Sequence, residues 1–496
     1  MENGKFKKDL SLKLPLSFSV FRFTFRNMDR RNFLQRLGLA SGGLIVACSG
    51  LSKRAEVLAQ TGNFSNLKAA GYGELLPIAA KNTGDTYLAL PKDFEYNVIG
   101  KVGGAMTDNN KTPRAHDGMA AFKVKNELRI VRNHEVTGGR VPVAGSAIGA
   151  NPYDEAAGGG TTTLVINPKT REIERDFVSL SGTLINCCGG RTPWGSWISC
   201  EETTLGQTVR TLKNGSKWGG FAKPHGYCFE VSASANSSVT PVPLKAMGRF
   251  IHEAVAVDKK SGAVYLTEDM SPCGFYRFLP KRNKRLAEGG VLQMLAVQGK
   301  ANYDTRKGQK TGMSFAANWV TIDNPDPPEA DTDDLAVHRQ GAAKGGALFA
   351  RLEGCYADSK GRIYFTSTSG GDNGGGQVWL YEPVKRDEGR LTLLFESPSR
   401  AILDMPDNIC LRPKSRMLFI CEDSDYVGEG GTAENYIKIL TPDGRMADFA
   451  KNITPNFPKS EFAGSTFSKD GKTLFVNLQA VGATFAIWGD WERFRK

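Results

Sequence analysis

Glu253-Ala254-Val255-Ala256-Val257-Asp258 is followed by Lys259-Lys260-Ser261-Gly262, Ala263-Val264-Tyr265-Leu266 and Thr267-Glu268-Asp269. This is a short apolar strand, a tight turn and a second apolar strand that stops at two acids. The turn residues are those that close β-hairpins. The same pattern recurs along the chain. Asp117 to Val124 turns at Lys125-Asn126 into Leu128 to Arg132 and ends at Asn133-His134-Glu135. Gly182 to Gly190 leads, less cleanly, into Trp197-Ile198-Ser199 and Cys200-Glu201-Glu202. Glu353 to Asp358 pairs with Arg362 to Phe365, then Thr366-Ser367-Thr368 and Gly371-Asp372. Asp407 to Leu411 pairs with Met417 to Ile420 and Cys421-Glu422-Asp423. Ser465 to Ser468 pairs with Thr473 to Val476 and Asn477-Leu478-Gln479. One hairpin repeated at a period of 55 residues or more, without helical periodicity, fits a propeller blade with two further strands per unit. The expectation is an all-β, six-bladed β-propeller with loop and helical insertions. His225 to Val231, Gly274 to Leu279, Gln377 to Tyr381 and Tyr436 to Leu440 are expected outer strands.

The remaining chain is divided around these hairpins. Residues 1–59 read as a twin-arginine signal region: Arg30-Arg31-Asn32-Phe33-Leu34, an apolar stretch from Leu37 to Cys48, and a small-residue cleavage site at Val57-Leu58-Ala59. Cys48 also fits a lipoprotein box. Residues 60–115 are an N-terminal segment leading into the propeller, which spans 116–490. Residues 281–350 form a long insertion, basic at its start and acidic towards its end, read as a solvated loop, with a lid over the site as the alternative. The expected partner during export is the twin-arginine translocase, the expected location periplasmic or extracellular, and the expected mature form a monomer without a membrane span. The net charge of +12 does not point to nucleic acid, because residues 1–59 alone hold 11 Lys or Arg against 4 Asp or Glu. A mean hydropathy of −0.33 excludes a polytopic membrane protein. The eight cysteines after residue 59 lie mostly in apolar runs and do not read as a disulfide framework.

The acids occupy two topological places. Asp117, Glu253, Glu353 and Asp407 start first strands, with Cys187-Cys188 at the matching place in the second hairpin. Glu135, Glu201, Glu202, Glu268, Asp269, Asp372, Glu422 and Asp423 follow second strands. An antiparallel hairpin sets these two places side by side, so radial blades would converge them on one mouth of the channel. Crowded carboxylates need positive partners, and bound hard cations are the economical ones. Arg132, Arg249, Arg277 and Arg351 are the nearby basic residues. The sixth hairpin, with Ser465 and Gln479, is expected to close the ring without ligands. Which acid of each adjacent pair faces inward stays open, since neighbours in a strand alternate faces. His116, His134, His225 and His252 sit at the edges of these motifs, fit to orient carboxylates or ligate metal. A thiolate at Cys187-Cys188 suits a borderline transition ion better than calcium.

Arg132-Asn133-His134-Glu135, Asn186-Cys187, Thr192-Pro193-Trp194-Gly195-Ser196-Trp197, Cys200-Glu201-Glu202, Gly248-Arg249-Phe250-Ile251-His252-Glu253-Ala254, Arg351-Leu352-Glu353-Gly354 and Cys421-Glu422-Asp423 together resemble the PhoX-type alkaline phosphatases, over about residues 75–490 in order. The resemblance implies hydrolysis of small phosphate monoesters for phosphate acquisition, at a cluster of Fe³⁺ and Ca²⁺ in the channel. It implies a bridging thiolate at Cys187, iron or calcium ligands at Glu253 and Glu353, further metal ligands at Glu135, Glu201, Glu268, Asp407 and Glu422, and a substrate-phosphate contact at Arg351. Cys187, Arg351 and Glu353 are the residues it implies for catalysis. Cys188 departs from the family's usual small apolar residue. Two other readings of the acidic mouth stay open here: a calcium-dependent propeller hydrolysing lactones or esters, and a non-catalytic binding scaffold.

Overall fold

The computed structural model describes residues 67–494 apart from 138–142, 212–214 and 429–430. The signal motif, Cys48 and the cleavage site lie outside the described residues. Within them the chain is all β, with a single α-helix, Ala336–Ala343. No helix among the described residues is long and apolar enough to cross a membrane.

Six hairpins form as expected. Their strands are His116–Val124 with Glu127–His134, Asn186–Arg191 with Ser196–Glu201, His252–Val257 with Val264–Glu268, Leu352–Ala357 with Ile363–Ser367, Pro406–Leu411 with Leu418–Glu422, and Phe462–Phe467 with Thr473–Leu478. The first strands pack on one another in a closed circuit. Glycines make that approach possible. A Cβ on Gly118 would lie 2.5 Å from Cys188 Cα, and one on Gly354 would lie 2.4 Å from the Asp407 carbonyl oxygen. Apolar cores fill the spaces between neighbouring hairpins. Ala120 and Phe122 meet Trp197 and Phe229, and Tyr364 and Val378 meet Ile409 and Leu418. Strands buried on both faces account for the continuous apolar runs.

The architecture is a propeller, but not one of six separate blades. Four sheets hold four or more strands, and the second hairpin's sheet holds three, Cys228–Ser232 being the third. The third and fourth hairpins share one nine-stranded sheet because Ser314–Thr321 pairs both with Gly290–Val297 and with Glu388–Glu396. The insertion 281–350 is therefore not a solvated loop. It supplies two strands and the helix. Residues 60–115 also do more than lead in. Phe94–Lys101 pairs with Ala483–Gly489, and Thr86–Pro91 pairs with Met446–Asn452, which ties the start of the described chain to its end.

Candidate metal centre

Every first strand carries the same irregularity. In the first hairpin His116 pairs with His134 but Met119 with Arg132, so three residues on one strand span two on the other. The same shift lies between Asn186 and Gly189, His252 and Val255, Leu352 and Cys355, Pro406 and Ile409, and Ala463 and Thr466. A β-bulge re-aims the side chain inside it. The residues in these bulges include Asp117, Cys187, Glu253, Glu353 and Asp407, and all five line one cavity of about 520 Å³.

The second strands deliver the facing set. The residue just past each strand donates its N–H to the residue just before the first strand: Glu135 to Ala115, Glu202 to Ile185, Asp269 to Ile251, Thr368 to Arg351, Asp423 to Met405 and Gln479 to Glu461. Glu135, Glu202, Asp269, Asp423 and Gln479 line the cavity, as do Glu461, Arg114 and Arg351. Ala115, Ile185, Arg351 and Met405 hold φ between 43° and 50°, a left-handed conformation that costs non-glycine residues of order 1 kcal/mol each.

This geometry resolves each adjacent acid pair, and it moves three expected ligands out of the cavity. Glu201, Glu268 and Glu422 end their strands and turn into the sheets. Glu201 accepts from Leu184 N, Gly226 N, Tyr227 N and His225 Nδ1 at 2.6–3.0 Å. Glu268 accepts from Gly274 N and the Tyr276 hydroxyl, both at 2.8 Å. Glu422 accepts from Asp404 N at 2.9 Å and Tyr436 N at 3.2 Å. Sequence reading had both members of each pair but no way to place the bulge or the backbone contact that turns the second one inward. Asp372 also lies away, exposed and accepting from Gly308 N. The sixth hairpin does contribute, through Glu461, one residue before its first strand. Of Arg132, Arg249, Arg277 and Arg351, only Arg351 lines the cavity, and Arg114 was missed because it precedes the first hairpin. The eight described cysteines are free and buried. Cys187 faces the acidic cavity, whereas Cys188 lines a second cavity with Arg191 and Lys259.

Ligand atoms converge in three groups within the acidic cavity, each within 4.8 Å: Cys187, Glu202 and Glu253; Glu253, Glu353 and Asp407; and Asp117, Glu135 and Glu461. Burial, then the charge of neighbouring carboxylates, pushes Asp117, Glu202, Glu253, Glu353, Asp407 and Glu461 up from the ordinary carboxylate range. Glu135 is raised to about 7, chiefly by burial. Burial followed by the Glu253 charge raises the Cys187 thiol. Nine carboxyl groups face two guanidinium groups, so ionising them together requires further positive charge in the cavity. Arg351 is committed to two of these carboxyl groups, with Nε and Nη2 donating to the two Asp269 oxygens at 2.9 and 3.1 Å and Nη2 donating to Glu353 at 3.1 Å. The oxygen donors fit hard cations, and the single thiol fits a borderline ion beside them.

Comparison with known proteins places the fold and the family. Among solved structures, PhoX of Pseudomonas fluorescens in complex with vanadate, a transition-state analogue, aligns at a TM-score of 0.62 and 17% identity, covering 86% of this chain and 98% of that one. A gluconolactonase from Xanthomonas campestris aligns at a TM-score of 0.34 and 11% identity over 84% of this chain and 96% of that one, too distant to bear on function. No curated protein sequence matches. The sequence profile of the alkaline phosphatase PhoX family matches residues 73–174 and 169–482, so the chain belongs to the PhoX family of alkaline phosphatases.

Proposed function

We propose that this chain is an exported, metal-dependent phosphomonoesterase whose acidic cavity holds Fe³⁺ and Ca²⁺. The supporting observation is the convergence of nine carboxylates and the Cys187 thiol, from all six hairpins, on one cavity that also presents Arg351 and Arg114. Cys187, Glu202 and Glu253 are the proposed iron-side donors, because they include the thiol. Glu253 is shared with Glu353 and Asp407, and Asp117, Glu135 and Glu461 make a third group suited to calcium. When bound, such cations neutralise phosphoryl charge and supply an activated oxygen nucleophile.

The chain's own residues prepare the cavity for a phosphate ester. Asp269 and Glu353 fix the Arg351 guanidinium in its plane and leave its Nη1 for a phosphate oxygen. These carboxylates hold its charge above its ordinary strength even though burial opposes it. Gln479 donates to both Asp117 (3.3 Å) and Glu135, holding two acids of separate strands together. Buried bulges and short turns keep the donors from swinging into solvent, which is the preorganisation that charge stabilisation requires. The twin-arginine motif supports export in a folded state, with metals taken up beforehand.

The test is hydrolysis of p-nitrophenyl phosphate by purified protein. Chelation should abolish activity and Ca²⁺ should restore it, while Cys187→Ala and Glu353→Ala should each lose it. Full activity in both variants would overturn the reading.

A further inference from the structure

One residue before the end of each second strand stands Asn133, Cys200, Thr267, Thr366, Cys421 or Asn477. Four of these side chains latch their hairpin to the next one. Asn133 donates to the Cys187 carbonyl at 3.1 Å, Thr267 to that of Glu353 at 2.6 Å, Thr366 to that of Asp407 at 2.9 Å, and Asn477 to that of Asp117 at 2.5 Å. Cys200 makes no such bond. Its Sγ lies 3.6 Å from Sγ of Cys228, its direct partner in the ladder, and Cys228 Sγ lies 3.5 Å from Nδ1 of His252 on the following hairpin. All three side chains are fully buried.

The imidazole is already set for ligation. His252 Nε2 donates to the Gly248 carbonyl at 2.9 Å, which leaves the Nδ1 lone pair facing the sulfur. The Phe250 ring packs on it at 3.7 Å between centroids. A tetrahedral zinc with bonds of about 2.3 Å to sulfur and about 2.0–2.1 Å to nitrogen has edges of about 3.8 Å between sulfurs and about 3.6 Å from sulfur to nitrogen. The two measured separations match those edges. Glu268 is paired with His252 across the third hairpin, and its Oε1 is buried without a hydrogen-bond partner.

We propose that Cys200, Cys228 and His252, whose ligand atoms all lie within 4.8 Å of one another, bind one Zn²⁺, and that this ion latches the second hairpin to the third where four of the other hairpins use a hydrogen bond. Binding displaces both thiol protons to solvent and forms two zinc–sulfur bonds, with no change of oxidation state. The site is separate from the acidic cavity and does not depend on the phosphatase reading. Its donors are softer and its role is structural.

The test uses the full chain carrying Cys187→Ala, which removes the thiol of the acidic cavity, loaded with Zn²⁺ and dialysed. We expect about one tightly held zinc whose X-ray absorption shows two sulfur neighbours at about 2.3 Å. Adding Cys228→Ser should remove that sulfur signal while a melting transition confirms folding. If that second variant does not fold, the absorption spectrum of the Cys187→Ala protein alone decides. Zinc with only oxygen or nitrogen neighbours, sulfur scattering that survives Cys228→Ser, no retained zinc, or a Cys200–Cys228 disulfide in peptide mapping would each overturn the proposal.

Discussion

Glu201 and Glu202 are adjacent carboxylates with opposite tasks. Glu201 is fully buried and accepts three backbone N–H groups and one imidazole nitrogen. Glu202 shares a ligand group with Cys187 and Glu253. Glu201→Ala leaves those donors unsatisfied and should destabilise the protein by about 3 kcal/mol or more. Glu202→Gln should leave the melting temperature of metal-free protein nearly unchanged and lower phosphatase activity at least about tenfold. Thermal melts and p-nitrophenyl phosphate assays on the two variants side by side check this. Equal effects of the two on both readouts would contradict it. Arg351→Lys keeps the charge but loses the planar grip on Asp269. It should reduce kcat/KM by about ten- to a hundredfold, corresponding to roughly 1.4–2.7 kcal/mol of transition-state binding. A variant with unchanged kcat/KM would remove Arg351 from substrate binding.

At the scale of the element, the hairpin with its bulge makes the site. Gly354 sits in the fourth bulge, where a Cβ would meet the Asp407 carbonyl oxygen of the fifth hairpin at 2.4 Å. Gly354→Ala should therefore part these two hairpins, costing about 1–3 kcal/mol and disturbing the Glu253, Glu353 and Asp407 group. A denaturant midpoint equal to that of the unchanged protein would count against this packing argument. The hairpins themselves were legible in the sequence, because alternating apolar residues, turn residues and terminal acids are local signals. Placing Asp117, Cys187, Glu253, Glu353 and Asp407 at first-strand starts was enough to gather them. Choosing Glu202 over Glu201, Asp269 over Glu268 and Asp423 over Glu422 was not possible, because strand alternation fixes only that neighbours differ. The face is set by the backbone bond from the later residue to the adjacent strand. Glu461 was hidden because the strand Phe462–Phe467 begins three residues before the expected start at Ser465. The nine-stranded sheet was hidden for a different reason: Ser314–Thr321 pairs with strands about 20 residues before it and 70 after it, beyond any local pattern.

For the whole molecule, the collected charge governs stability. Asp117, Glu135, Glu202, Glu253, Glu353, Asp407, Asp423 and Glu461 hold protons more tightly in the folded state than in the unfolded chain, chiefly because of burial. Between the ordinary carboxylate pKa and the raised one, the folded state binds more protons, so stability falls as pH rises. For Glu135 that window runs from about 4.5 to about 7. Metal-free protein should therefore melt at a lower temperature at pH 8 than at pH 5, and saturating Ca²⁺ should offset most of that loss at pH 8. A melting temperature that rises with pH in the absence of metal would contradict the crowding of these acids.

The most direct measurement is elemental analysis of the full-length protein purified without added metal, compared with its Cys187→Ala and Glu253→Ala variants. The account predicts bound iron together with several equivalents of calcium, with iron lost in both variants and activity lost in parallel. Fully active protein that contains neither metal would contradict it.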